Sequence, residues 1–206
     1  MKFGISDTQR AVVLAFSLFA MGPLLLPSMA QAQAQFVVMP VVEKKIEQLP
    51  AGTLYWQLEN FPTLAEAQAA AGPTAMAAEV EGKVWLFTLG PQGSSTHGGN
   101  KVVEIGPVTP ITAPEYLLRI NHAVAPSGTK TAVHTHAGSE AFYVLAGQLS
   151  QKTPQGVSQV EVGQTMPGRG PDTPMEVSSS GATELHALVM FIVDATKPFS
   201  TPAHME

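Results

Sequence analysis

The residues from Gly128 to Gly147, GTKTAVHTHAGSEAFYVLAG, decide the fold. His134 and His136 stand two apart, so on a β-strand both side chains leave the same face. Glu140 follows four residues later and can return to that face after a short turn. Two imidazoles and a carboxylate on one concave surface can hold a divalent first-row metal and leave coordination positions open. The run Ala141-Phe142-Tyr143-Val144-Leu145 is rich in strand formers and ends at Gly147, where a turn is expected.

With five residues between Gly128 and His134, three between His136 and Glu140 and six between Glu140 and Gly147, the stretch resembles the first motif of the cupin superfamily. The resemblance implies an all-β chain, a cupin double-stranded β-helix barrel of two antiparallel sheets with the metal between them. It implies His134, His136 and Glu140 as metal ligands, with Fe, Mn, Cu, Zn or Ni as the divalent ion. The second cupin motif supplies one more histidine in a Gly, Pro-Gly, His pattern. Here Gly163, Pro167 and Gly168 are followed by Gly170-Pro171-Asp172-Thr173-Pro174-Met175, so Met175 falls where the fourth ligand aligns. Met175 admits two readings: a soft thioether ligand that selects copper, or an apolar wall beside a three-ligand site like that of non-haem iron oxygenases. Asp172 and Glu176 flank it and are expected to be a solvated pair.

Outward from this stretch the chain divides into four parts. In residues 1–34, Lys2 and Arg10 precede a nearly unbroken apolar run from Ala11 to Leu26, and A-x-A sites follow at Ala30-Gln31-Ala32 and Ala32-Gln33-Ala34. This is the pattern of a secretory signal peptide and predicts a periplasmic or secreted protein with no membrane association after cleavage. Residues 35–110 are expected to form N-terminal strands and one short helix that pack on or extend the barrel. Residues 111–197 are expected to be the barrel, and 198–206 an irregular tail.

Within the second part, strands are expected at 35–39, 53–61, 75–82 and 83–89. Thr63 with Glu66 three residues on is a capping-box arrangement that opens a helix over 63–71, ended by Gly72-Pro73. Residues 90–100 read as a surface loop with a solvated His97. Residues 116–122 read as the strand leading into the motif, with His122 on the face of Leu118 and Ile120, pointing into the barrel as a core or supporting histidine, and Arg119 on the other face as a solvated or interface residue. Two alternating runs around Thr153-Pro154-Gln155-Gly156 read as a hairpin. Residues 185–193 form an apolar strand in which His186 faces the barrel or an inter-sheet core.

Composition limits the function. A net charge of −5 argues against nucleic-acid binding, which needs a basic face. The chain has no cysteine, which excludes thiolate metal sites, cysteine nucleophiles and disulfides. No phosphate-cradling loop or nucleophile elbow is present. Three functions follow from the resemblance: a metal-dependent, dioxygenase-like enzyme acting on a small organic molecule, with Phe142 or Tyr143 as a pocket wall; a non-catalytic periplasmic metal- or ligand-binding protein; or a structural barrel that associates as a homodimer.

Overall fold

The computed structural model describes residues 35–205; the expected signal segment lies outside them. In chain order the elements are β1 (Val37–Ile46), β2 (Leu54–Phe61), α1 (Leu64–Ala70), β3 (Ala75–Val80), β4 (Lys83–Pro91), β5 (Asn100–Ile105), β6 (Tyr116–Ala125), β7 (His134–Thr135), β8 (Gly138–Ala146), β9 (Gln148–Thr153), β10 (Gly156–Glu161), β11 (Thr165–Pro167), β12 (Glu176–Ser179), β13 (Leu185–Asp194) and β14 (Thr201–Pro202).

A five-stranded sheet of order β1-β6-β13-β8-β11 forms the middle of the protein, all of its pairs antiparallel. Alternation along its strands sends one set of residues to each face. One face carries Ala123, Phe142, Val144, Val189 and Phe191, which pack with Leu149 of β9 and Val177 of β12 across the barrel. The three-stranded sheet β10-β9-β12 and the β14-β7 pair complete this barrel. The other face carries Leu118, Ile120, Leu188 and Met190, which pack with Trp56, Trp85 and Phe87 of a separate four-stranded sheet, β3-β4-β2-β5. The described residues therefore form three β layers, and the central strands β6, β13 and β8 of the middle one are buried on both faces.

This two-sided burial corrects the assignment of strand faces. Leu118, Ile120 and His122 share a face, but it is the face toward the β2–β5 sheet, and Arg119 and Asn121 are the residues turned to the barrel. Both faces of β6 are largely buried, and each carries polar residues (Arg119 and Asn121 on one, His122 on the other), so the pattern could not say which was inside. The first strand is longer than expected, because β1 passes a register shift at Pro40/Val42 and pairs with β6 as far as Ile46. Helix α1 starts as its capping residues require: the Glu66 amide donates to Thr63 Oγ1 at 3.2 Å and the Thr63 hydroxyl donates to the Glu66 carboxylate at 3.0 Å. The tail is not wholly irregular, since Thr201 and Pro202 pair with Thr135 and His134. His97 is exposed in the loop after β4.

Gly147 shows what the motif glycine does. It turns the chain from β8 in one sheet into β9 in the other with φ +73°, and a Cβ there would lie 2.6 Å from the Glu184 carbonyl oxygen. A left-handed non-glycine residue costs roughly 1–2 kcal/mol, and forced overlap with backbone adds roughly 1–3 kcal/mol. Gly147→Ala is therefore expected to destabilise the protein by at least about 2 kcal/mol in urea unfolding, whereas Gly163→Ala, with a φ of +77° but open space around it, should cost only the first part.

Candidate metal centre in the barrel

The two motif segments are joined directly. The His134 amide donates to the Met175 carbonyl at 3.0 Å and the Met175 amide donates back to His134 at 2.9 Å. His134 Nδ1 lies 2.8 Å from the Ala132 carbonyl and His136 Nδ1 lies 2.7 Å from the Phe199 carbonyl. A carbonyl can only accept, so both neutral rings carry their proton on Nδ1 and leave a lone pair on Nε2. The two rings stand edge to face, 4.9 Å between centroids. His136 Nε2 is 4.0 Å from Glu140 Oε2.

Glu140 is 3% exposed, and its other oxygen accepts a hydrogen bond from Gln151 Nε2 on the facing β9. Burial raises its carboxyl to about 8, against the opposing pull of the Gln151 bond. Burial also depresses His136 to about 4; the Phe199 carbonyl opposes this, while the charges of His134 and Arg119 reinforce it. Met175 is buried, and its sulfur lies 3.5 Å from Gln151 Nε2, so one glutamine amide serves both Glu140 and the thioether. Asp172 is exposed, and Glu176 pairs with Lys130 at 2.9 Å.

His134, His136 and Glu140 open into a cavity of about 500 Å³ walled by Phe36, Phe142, Leu149, Val189, Phe191 and Phe199. Of the two neighbouring aromatics on β8, Phe142 is the wall; Tyr143 packs edge-on against Trp85 on the opposite face, 6.1 Å between centroids. Asn121 also lines the cavity, and its buried Oδ1 has no hydrogen-bond partner. Arg119, expected as a solvated or interface residue, pairs with Glu43 and lies 4.0 Å over the Phe199 ring.

Sequence reasoning missed Gln151, Asn121 and Phe199. Gln151 was within reach, because alternation along β9 aligns it with buried Leu149 and Thr153. Phe199 carried no such signal, since it lies in a Pro/Ser-rich tail held only by tertiary contacts.

The facing antiparallel sheets, with the motif residues between them, have the double-stranded β-helix barrel arrangement that the resemblance to the cupin motif implies. No protein-family model and no curated protein matches the sequence. Partial likeness to solved structures includes a DMSP lyase from Ruegeria pomeroyi DSS-3, 18% identical over 43% of this chain and 44% of that one with a TM-score of 0.38. A cupin-like protein from Thermotoga maritima is 13% identical over 43% of this chain and 65% of its own, with a TM-score of 0.38. Salicylate 1,2-dioxygenase from Pseudoaminobacter salicylatoxidans is 20% identical over 36% of this chain and 19% of its own, with a TM-score of 0.32. The chain thus spans less than half of the lyase and about a fifth of the dioxygenase. The assignment of the fold rests on the topology of this chain itself.

Among the described residues Gln151 is the one side chain that donates to Glu140, and leaving a buried acceptor unpaired costs about 1–3 kcal/mol. Gln151→Leu, which keeps the volume and removes the donor, is expected to lower the stability of the metal-free protein by that amount in denaturant unfolding. Gln155→Leu, on the exposed β9–β10 turn, is the control and should change little.

Proposed function

We propose that this chain is an exported metal-binding cupin, most consistent with a metal-dependent, dioxygenase-like enzyme acting on a small organic molecule. The observation that carries the proposal is that His134, His136 and Glu140 line one apolar, aromatic-walled cavity, with His136 Nε2 4.0 Å from the buried Glu140 carboxylate and both Nδ1 atoms tied to backbone carbonyls. The donor set fits a divalent first-row ion, because neutral imidazole and carboxylate are its ordinary ligands and burying them together without a cation is costly. His134, His136 and Glu140 would hold the ion, and it would supply Lewis-acid or redox chemistry to a bound molecule.

The chain's own residues do the rest. The Ala132 and Phe199 carbonyls fix the two rings, and Gln151 fixes the carboxylate, as partners behind metal ligands do. Phe142, Phe191 and Phe199 exclude water and accept the apolar body of a substrate. Asn121 offers a free carbonyl oxygen for a hydroxyl or amide hydrogen on that substrate. Met175 supports the site from behind: its sulfur is engaged by Gln151 rather than turned into the cavity, which favours a three-ligand arrangement over a four-ligand copper-holding one. Export rests on the sequence of residues 1–34.

The test is elemental analysis of the mature protein beside a His134→Ala/His136→Ala variant, followed by oxygen-electrode assays. Bound iron or manganese in the wild type, reduced by the double substitution, and oxygen uptake on adding a phenolic or diketone compound are the expected results. Bound metal with no turnover across that panel would move the protein to the binding class, and copper lost on Met175→Leu would reinstate the four-ligand site.

A further inference from the structure

A second group of metal-ligating side chains lies on the opposite face of the same sheet. Glu81, His122 and His186 bring three donor atoms within 4.8 Å of one another. His186 Nδ1 is 2.9 Å and His122 Nε2 is 3.3 Å from Glu81 Oε1, and the two rings are 5.6 Å apart. Donor atoms around a tetrahedral zinc ion, at about 2.0–2.1 Å from the metal, stand about 3.3 Å from each other. The two Glu81 distances are close to that spacing, and Glu81, 44% exposed, is free to adjust.

Three further features point the same way. His122 is only 8% exposed, and its Nε2 has no hydrogen-bond partner, so a buried nitrogen faces the cluster unused. His186 Nε2 is held by Glu184 at 3.0 Å, which leaves Nδ1 directed at Glu81, the arrangement in which a carboxylate orients a metal-bound histidine from behind. Glu81 itself occupies the first position of the two-residue turn between β3 and β4 with φ +54°, followed by Gly82 at φ +67°. Asparagine, aspartate or glycine suits that position; glutamate does not, and what it adds is a longer carboxylate. The cluster borders a recess of about 220 Å³ that gives access from solvent. Lys83 lines the same recess, and its charge is outnumbered by Glu81 and Glu184.

We propose that Glu81, His122 and His186 form a second divalent metal site, suited to zinc, that clamps the β3–β4 hairpin to the outer face of the barrel. It is separate from His134, His136 and Glu140, which lie across the sheet in the barrel. Histidine and carboxylate ligands suit Zn²⁺, and the solvent-facing recess leaves a position for water. The rival arrangement is an ion-pair network in which a protonated His186 bridges Glu81 and Glu184.

The experiment is titration of the chelator-stripped, full-length protein with Zn²⁺ by calorimetry, with Co²⁺ absorbance as a geometric readout. In the His134→Ala/His136→Ala background, about one equivalent of Zn²⁺ should still bind, and Co²⁺ should give the intense visible bands of a four-coordinate site. Glu81→Asn keeps a residue favoured in the left-handed turn while withdrawing the carboxylate. It should weaken Zn²⁺ binding at least tenfold, by about the range that even partners behind the ligands command, and leave the Tm of the stripped protein unchanged or higher. In the otherwise wild-type chain the same substitution should remove one equivalent of bound Zn²⁺, a result that does not require the double variant to fold. Affinity and stoichiometry unchanged by Glu81→Asn, or no Zn²⁺ bound outside the barrel, would overturn the proposal and leave the ion-pair network.

Discussion

Everything in this protein is arranged around a five-stranded sheet buried on both faces. A sheet covered on one side only would present alternating apolar and polar residues, and its polar face would need no partner. Here β6, β8 and β13 are buried along both faces, so each is matched by a further layer: the small β10-β9-β12 sheet on one side and the β2–β5 sheet on the other. Because successive side chains go to opposite faces, neighbours in sequence serve different compartments. Asn121 faces the barrel cavity, and His122 belongs to the cluster on the far side. Two polar sites thus share one sheet while remaining separated by its thickness.

The same constraint explains what could be read from the chain. The residues from 128 to 147 specify the barrel because their chemistry is local: a strand face for His134 and His136, a returning carboxylate, and glycines where the backbone turns. The capping residues of α1 and the Pro154-Gln155 hairpin turn were legible for the same reason. What was not legible depended on distance in sequence. Which face of β6 is inside is decided by β9 and β12, not by β6. Phe199 reaches the cavity only because β14 returns to pair with β7, and Glu81 meets His186 across more than a hundred residues of chain. A Met in place of the usual histidine raised the question of a fourth ligand, and its answer depends on Gln151, whose side chain engages the sulfur from the facing strand.

Burial acts on the barrel residues in opposite senses that fit together. It pushes the Glu140 carboxyl up and His136 down, because in each case the charged form loses its hydration. In the metal-free barrel, burial thus favours the uncharged form of both groups. A divalent cation held there would supply a charge for the carboxylate to face directly. The carbonyl oxygens of Ala132 and Phe199 already hold the imidazole protons away from it.

The outer cluster is built to a different electrostatic rule. Burial pulls His186 downward, but hydrogen bonds and charge from Glu81 and Glu184 outweigh it and raise the imidazole above its ordinary range. His122, more deeply buried and facing only one carboxylate, is lowered. The cluster thus joins two histidines shifted in opposite directions through a carboxylate at the tip of a hairpin. That hairpin belongs to the β2–β5 sheet and both histidines belong to the barrel sheet, so whatever cation Glu81 faces, proton or metal, lies at the seam between two layers. The hydrophobic core holds the layers together along their length, and this seam supplies a polar tie at one edge, where solvent can reach it and where occupancy can change without disturbing the packing beneath.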